Sequence, residues 1–157
     1  MTRIRLIFRK TARYARLTPV RKILLIEAAL WLALARLALV FLPFRWIAGH
    51  LGTVTVPANA TAQSAASMSP EAAVLAATVG WAVRCAARNV PFKAVCLPQA
   101  LAAKAMLARR NTTSVLHFGV AKGLDKPLEA HAWLDAAGVE VTGYPLIARF
   151  TEVARFV

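Results

Sequence analysis

The chain has 157 residues, a length that suits one ordinary domain or a small catalytic domain with an attached helical segment. Hydrophobic residues make up 59 % of the sequence, charged residues only 17 %, and the formal net charge is +13. Two cysteines in a chain of this length do not indicate a disulfide framework and favour a reducing cytoplasm.

The basic residues are concentrated at the N-terminus. Eight of the twenty precede Ile23, with no acid among them: Arg3, Arg5, Arg9, Lys10, Arg13, Arg16, Arg21 and Lys22. Such a cluster attracts an acidic protein or peptide, an anionic membrane face or nucleic acid, unless it only keeps an apolar protein soluble. Nucleic acid is the weakest of these alternatives, because aromatic residues are not interleaved with the arginines.

An apolar segment follows the basic cluster. Thr18-Pro19 predicts a helix start, and residues 23–44 are apolar apart from Glu27 and Arg36. These twenty-two residues are enough to cross a bilayer, although Arg36 near the centre would cost about 2.5–3.5 kcal/mol. The two charges lie on roughly opposite sides of a helix, so packing in a protein core or against a partner is the other interpretation. We expect a cytoplasmic protein, with membrane association through residues 23–44 as the rival.

A change of composition marks the boundary between two parts of the chain. Residues 53–69 predict a linker, because small and polar residues follow one another there without periodicity or charge. Ser69-Pro70-Glu71 then predicts a helix start with Ser69 as the N-cap, and the helix is expected to run to about Arg88. The predicted organisation is a basic, apolar, helical segment (1–52), a linker (53–69) and a C-terminal domain (70–157). Ala58-Asn59-Ala60 resembles a signal-peptide cleavage site but lies too far beyond the apolar segment.

Cys96 has the surroundings of a reactive cysteine. Pro98 suits the first position of a helix, so we predict a helix from Pro98 to Arg110 with Cys96 at or just before its N-terminus. The free N–H groups and the positive dipole end of a helix stabilise a thiolate, which is the nucleophilic form, and can bind an oxyanion. Cys85, in an alanine-rich helix, is instead predicted to be a buried small hydrophobe.

Beyond this helix the hydrophobic period changes to two, which predicts strands. One strand covers residues 115–120, a second covers 128–135, and Ala136-Ala137-Gly138 is predicted to turn into a third. On the second strand, Glu129, His131, Trp133 and Asp135 share one face, and small aliphatic residues share the other. His131 is thus the candidate catalytic base, 35 residues after Cys96, whereas His117 is predicted to be structural.

Three blocks together resemble a known family. They are Cys96-Leu97-Pro98-Gln99-Ala100-Leu101-Ala102, then Leu116-His117-Phe118-Gly119-Val120, then Ala130-His131-Ala132-Trp133-Leu134. Their order and spacing resemble the lasso peptide leader peptidases, the stand-alone protease form of the B-type maturation protein. The resemblance implies an α+β fold with a transglutaminase-like cysteine peptidase core. In that core a helix bearing the cysteine packs on a small antiparallel sheet bearing the histidine.

The resemblance also implies a function. Cys96 would be the nucleophile and His131 the base of a peptidase that cuts a ribosomally made precursor between leader and core. The freed amine would be closed into a macrolactam by a separate ATP-dependent cyclase, and a small leader-recognition protein would present the substrate. No metal or organic cofactor is implied. The alternative is a non-catalytic, membrane-associated basic scaffold that binds an anionic partner through residues 3–22.

The third catalytic group is open. The family commonly has an acid about a dozen residues after the histidine, and here that position is Gly143. A three-residue turn would place His131 opposite Gly143 and Glu140 opposite Leu134. Asp135 is the candidate we carry forward, although it lies four residues from His131, roughly 13 Å along a strand. A backbone carbonyl is another orienting group to consider, and so are the side chains of Thr142, Asp125 and Glu152.

Overall fold

The computed structural model describes residues 17–55, 69–122, 127–145 and 150–157. Its helices are α1 (Pro19–Phe41), α2 (Phe44–Gly49), α3 (Pro70–Ala87) and α4 (Cys96–Ala108). Its strands are β1 (Val54–Thr55), β2 (Val115–Ala121), β3 (Glu129–Ala136), β4 (Val139–Thr142) and β5 (Thr151–Phe156). Most of the basic cluster, most of the predicted linker, the signal-like tripeptide and Asp125 lie outside the described residues.

The strands form one sheet in the order β1-β5-β2-β3-β4, and every neighbouring pair is antiparallel. The predicted α+β class is therefore confirmed. Core side chains alternate along the strands: Leu116 on β2, Ala132 and Leu134 on β3 and Phe156 on β5 all belong to one buried cluster. This alternation gives the sheet a face that packs against helices and a second face that carries polar residues.

The helices form two further layers. α4 packs on β3 and β4, α3 packs on β4, and α1 packs on α3 and α4. The buried side of α1 consists of Leu24, Ala28, Leu32 and Ala35, which join the same core cluster as the strands. The N-terminal helix therefore shares one hydrophobic core with the other helices and the strands that the structure describes.

Two polar contacts fasten α1 to the other helices. Arg110, just beyond α4, donates two hydrogen bonds to the Glu27 carboxylate, at 3.0 and 2.6 Å. Arg21 lies over the ring of Trp81 on α3, with its guanidinium carbon 5.4 Å from the ring centroid. Both contacts lie in the N-terminal half of α1, one to the residue just beyond α4 and one to α3, so this half of the helix is fastened to both of its neighbours. The strand β1, within the segment predicted as linker, pairs with β5 at the edge of the sheet.

The predicted starts of α1 and α3 are confirmed. Thr18 and Ser69 are the N-caps, with Pro19 and Pro70 at the first helical positions. The Ser69 hydroxyl accepts a hydrogen bond from the Ala72 N–H at 3.2 Å, as an N-cap serine should. α3 ends at Ala87, one residue before the predicted end. α1 ends at Phe41, just before the Leu42-Pro43 pair, because the residue before proline avoids helical angles.

Candidate active site

Cys96 is the first residue of α4. The prediction that Pro98 opens the helix was wrong by two residues, since Val95 is the N-cap and Pro98 is the third helical residue. Proline fits there because none of the first N–H groups of a helix has an intrahelical partner. The Cys96 thiol is free and half-buried, and it packs against the core cluster. Cys96 thus lies at a helix N-terminus, as predicted.

The first turn of α4 is shaped by Gln99. Its N–H donates to the Val95 carbonyl at 3.3 Å, and its side-chain amide donates to the Ala94 carbonyl at 2.7 Å. Pro98 has no N–H. Among the described residues, the N–H groups of Cys96 and Leu97 have no hydrogen-bond acceptor, as expected for the first N–H groups of a helix.

His131 lies on β3, on the face opposite the core. Ala132, Leu134 and Ala136 belong to the core cluster and His131 does not, which confirms the predicted division of faces. The His131 Nε2 lies 2.7 Å from the carbonyl oxygen of Gly143. Because a carbonyl only accepts, Nε2 must carry the proton, and the neutral ring keeps its lone pair on Nδ1. The contact at this position is therefore made by the backbone carbonyl of Gly143 rather than by an acidic side chain.

The route of the chain to Gly143 differs from the prediction. The hairpin turn has two residues, Ala137 and Gly138, both with positive φ (48° and 74°), and Ala136 belongs to β3. Glu140 consequently pairs with Asp135 rather than with Leu134, and a register shift follows between Leu134 and Asp135. The three-residue turn was therefore wrong, because left-handed angles at two successive residues close a tight hairpin.

Gly143 occupies a position that only glycine fills easily. Its φ is +87°, and a Cβ there would lie 2.5 Å from the Ala132 oxygen and 2.7 Å from the Trp133 Cα. Both neighbours are backbone atoms that cannot rotate away. The glycine that replaces the expected acid is therefore also what allows its carbonyl to reach His131.

Two aromatic rings lie beside His131. The ring centroids of Phe150 and Trp133 lie 5.0 and 6.1 Å from that of His131. Trp133 also stacks in parallel on His117, at 5.3 Å and 1° between the ring planes. A Cβ on Gly119 would lie 2.7 Å from the Trp133 ring, so the indole lies directly over that glycine. Trp133 therefore stacks with both histidines.

Asp135 takes part in a different cluster. One of its carboxylate oxygens accepts a hydrogen bond from the Tyr144 hydroxyl at 2.5 Å, and the other lies 3.2 Å from the Nε2 of His117. The opposite nitrogen of His117 lies 2.7 Å from Glu152, which in turn forms a two-point pair with Arg155. The Asp135 carboxylate and the His117 Nε2 are close enough for an ion pair, but they are not aligned as a hydrogen bond.

This acid–histidine cluster changes the titration of its members. Burial opposes the charged form of His117, yet Asp135 and Glu152 together raise its pKa above the ordinary value. Burial also opposes charge on Glu152, but hydrogen bonds from Arg155 and His117 lower its pKa overall. Burial, followed by the bond to Asp135, raises the pKa of Tyr144. The four side chains, with Arg155, therefore form one connected polar network on this face of the sheet, and the structural role of His117 stays a prediction.

The structure brings some of the predicted site residues together and not others. His131 is paired with Gly143, and Asp135 is paired with Tyr144 and His117. Thr142 is fully buried, and its hydroxyl has no partner in the part of the chain that the structure describes. No hydrogen bond joins the Cys96 thiol to His131 among the described residues, so their catalytic pairing stays a prediction. Cys96 packs against the core cluster, whereas His131 lies on the opposite face of β3, so the described structure does not bring these two side chains together.

A family model matches most of the chain, from residue 38 to residue 155. The model is that of the transglutaminase-like superfamily. The chain belongs to the transglutaminase-like superfamily. The match runs from within α1 into β5 and includes Cys96 and His131, and the superfamily includes cysteine peptidases and transglutaminases. Comparison with curated proteins and with solved structures gave no match.

Proposed function

We propose that this chain is a cysteine peptidase that removes the leader from a lasso peptide precursor. The observation that carries the proposal is the position of Cys96, a free, half-buried thiol at the first residue of a helix in a transglutaminase-like chain. A thiol at a helix N-terminus has unpaired N–H groups and a positive dipole end beside it, which favour its attacking form and an oxyanion. The three sequence blocks described above support the lasso peptide substrate.

The proposed reaction has two steps. The Cys96 sulfur attacks the carbonyl carbon of the last leader residue while His131 takes the thiol proton on Nδ1, the nitrogen left open by the Gly143 contact. The N–H groups of Cys96 and Leu97 stabilise the oxyanion. The intermediate then collapses with loss of the core's amine, which receives the proton from His131, and a thioester to the leader remains. Water, deprotonated by His131, hydrolyses the thioester and regenerates the thiol.

Orientation of His131 falls to Gly143 in this proposal. The group that orients the base in a triad selects the tautomer and holds the ring plane. The Gly143 carbonyl selects the tautomer, and the flanking rings of Trp133 and Phe150 restrict the plane. Asp135 is not needed for this role because its oxygens are paired with Tyr144 and His117. It would act at most by supporting the polar face of the sheet.

The partners follow from the proposed substrate. A leader-recognition protein would present the precursor, and an ATP-dependent cyclase would use the freed amine of the core. Incubation of the protein and a recognition protein with a lasso precursor peptide, followed by mass spectrometry, should yield the separate leader and core. Cys96→Ala should abolish the cleavage, and the matched change Cys85→Ala should leave most of it. Full cleavage by the Cys96 variant would remove the proposal, and an absence of cleavage by the wild type would favour the non-catalytic scaffold.

A further inference from the structure

The outer side of α1 carries an uninterrupted row of large apolar side chains. They recur at spacings of three and four residues and are each more than half exposed: Ile23 66 %, Ile26 54 %, Leu30 61 %, Leu34 54 %, Leu37 52 % and Phe41 75 %. We call these six residues the apolar stripe. Leu42 and Trp46, exposed by 49 % and 61 %, continue it beyond the helix end. Contiguous apolar surface of this extent marks an interaction site in a folded protein.

The apolar stripe is not the lipid-facing side of a single helix that crosses a membrane by itself. The opposite side of α1, Leu24 to Ala35, is buried against α3 and α4. Glu27 is held by Arg110, and Arg21 by Trp81. A helix with one side built into a globular core lies along the surface of that core, so only its outer side is free to meet a partner.

The charges next to the stripe indicate what that partner is. The stripe itself contains no charged residue, while the segment before it contributes eight basic residues and no acid. Arg45, which is exposed, adds a further cation at the other end, beside Trp46. An apolar row between cations, with a tryptophan at one end, matches a bilayer surface with anionic headgroups, where tryptophan prefers the interface. A second copy of this chain fits less well as the partner, because it carries the same positive charge and the two copies would repel each other.

We propose that the apolar stripe is a membrane-docking surface. α1 lies in the plane of an anionic bilayer, with the stripe in the boundary between headgroups and acyl chains and the core helices on the water side. The positive charge of the sequence before Ile23 strengthens the attraction to the anionic headgroups, and the rest of the domain is held at the membrane without a span. This proposal does not depend on the peptidase reaction, because neither Cys96 nor His131 belongs to the stripe.

Vesicle sedimentation of the purified full-length chain tests the proposal. The vesicles contain either phosphatidylcholine alone or phosphatidylcholine with one third phosphatidylglycerol. We expect the protein to sediment with the anionic vesicles and at least tenfold less with the neutral ones. The double variant Leu30→Gln, Leu37→Gln should partition at least tenfold less into anionic vesicles than the wild type, with no change of net charge. The matched control Val74→Gln, Leu128→Gln, at side chains exposed by 68 % and 62 %, should partition like the wild type.

Two further measurements keep the result decisive. Circular dichroism and thermal unfolding should be the same for the stripe variant and the wild type, because the replaced side chains are largely exposed; a variant that unfolds is replaced by Ile26→Gln, Leu34→Gln. Equal sedimentation of stripe variant and wild type would overturn the proposal. So would a dimer in solution that the stripe substitutions abolish, because a second copy would then cover the stripe. Retention in membranes after alkaline carbonate would show a span and overturn the in-plane placement.

Discussion

Leu32→Ala and Leu30→Ala remove the same atoms from opposite sides of one helix and should have very different effects. Leu32 is fully buried against α3 and α4, whereas Leu30 is 61 % exposed in the apolar stripe. Truncation of a fully buried leucine lowers the free energy of unfolding by about 3–5 kcal/mol, because hydrophobic burial is lost and a cavity is left behind. In a domain of this size that corresponds to a fall in melting temperature on the order of 10 °C. Leu30→Ala should change stability by about 0.5 kcal/mol or less.

Urea unfolding followed by circular dichroism measures both variants in the same buffer. The midpoint should move substantially for Leu32→Ala and stay near that of the wild type for Leu30→Ala. The two changes reduce the hydropathy of α1 equally, so a helix that folded separately from the domain would respond alike to both. Equal effects, or a larger effect of Leu30→Ala, would refute the inclusion of α1 in the core.

Three further outcomes follow from the polar face of the sheet. Gly143→Ala should destabilise the fold and lower leader cleavage by more than tenfold, because its Cβ would meet the Ala132 oxygen at 2.5 Å and displace the carbonyl bonded to His131. Urea unfolding measures the loss of stability, and mass spectrometry measures the loss of cleavage. Unchanged cleavage would contradict the orienting role of Gly143. Asp135→Asn should reduce cleavage by less than tenfold, because its carboxylate is paired away from His131; a loss as deep as that of Cys96→Ala would show that it acts in the reaction. His117→Gln should flatten the pH dependence of stability. Because the pKa of His117 is raised in the folded state, its protonation stabilises the fold fully below the ordinary value of 6.5, and this stabilisation is lost as pH rises through the folded pKa. Urea midpoints of the wild type should therefore fall more steeply between pH 6 and 8 than those of the variant, and parallel profiles would contradict this.

Local signals predicted much of the secondary structure. Ser69 followed by Pro70 and Glu71 predicts a helix start from contacts within one turn, and the structure has that start. Strict alternation along 129–135 predicts which residues face the core, because successive strand residues point to opposite faces. These signals depend on near neighbours in the chain, so they can be interpreted from the sequence without the tertiary structure.

Register and long-range pairing could not be predicted in the same way. The start of α4 at Cys96 depends on how the preceding residues pack, since Pro98 is acceptable anywhere in the first turn. The two-residue turn at Ala137-Gly138 requires a left-handed alanine, which sequence alone disfavours. Glu27 pairs with a residue 83 positions away, so its role as an anchor for α1 was not evident from the chain.

The candidate site shows the same division. The position of Cys96 at a helix end and of His131 on a polar strand face was predicted, because each rests on a local pattern. The acceptor for His131 is a backbone carbonyl, which has no residue type to mark it; the only signal was a glycine in place of an acid. The network of Asp135, His117 and Glu152 joins three strands and depends on the sheet order.

The most direct test of the central claim, that Cys96 is the nucleophile, is covalent labelling by an alkylating derivative of the leader peptide. A leader peptide ending in a chloromethyl ketone places an alkylating carbon where the scissile carbonyl would bind, so the attacking sulfur becomes a thioether. Trypsin separates the two cysteines because Arg84, Arg88 and Lys93 lie around and between them. We predict, by mass spectrometry, a leader adduct on the peptide that contains Cys96, absent after His131→Ala and competed by intact precursor. An adduct on Cys85 alone, or no adduct under conditions where the precursor is cut, would contradict the account.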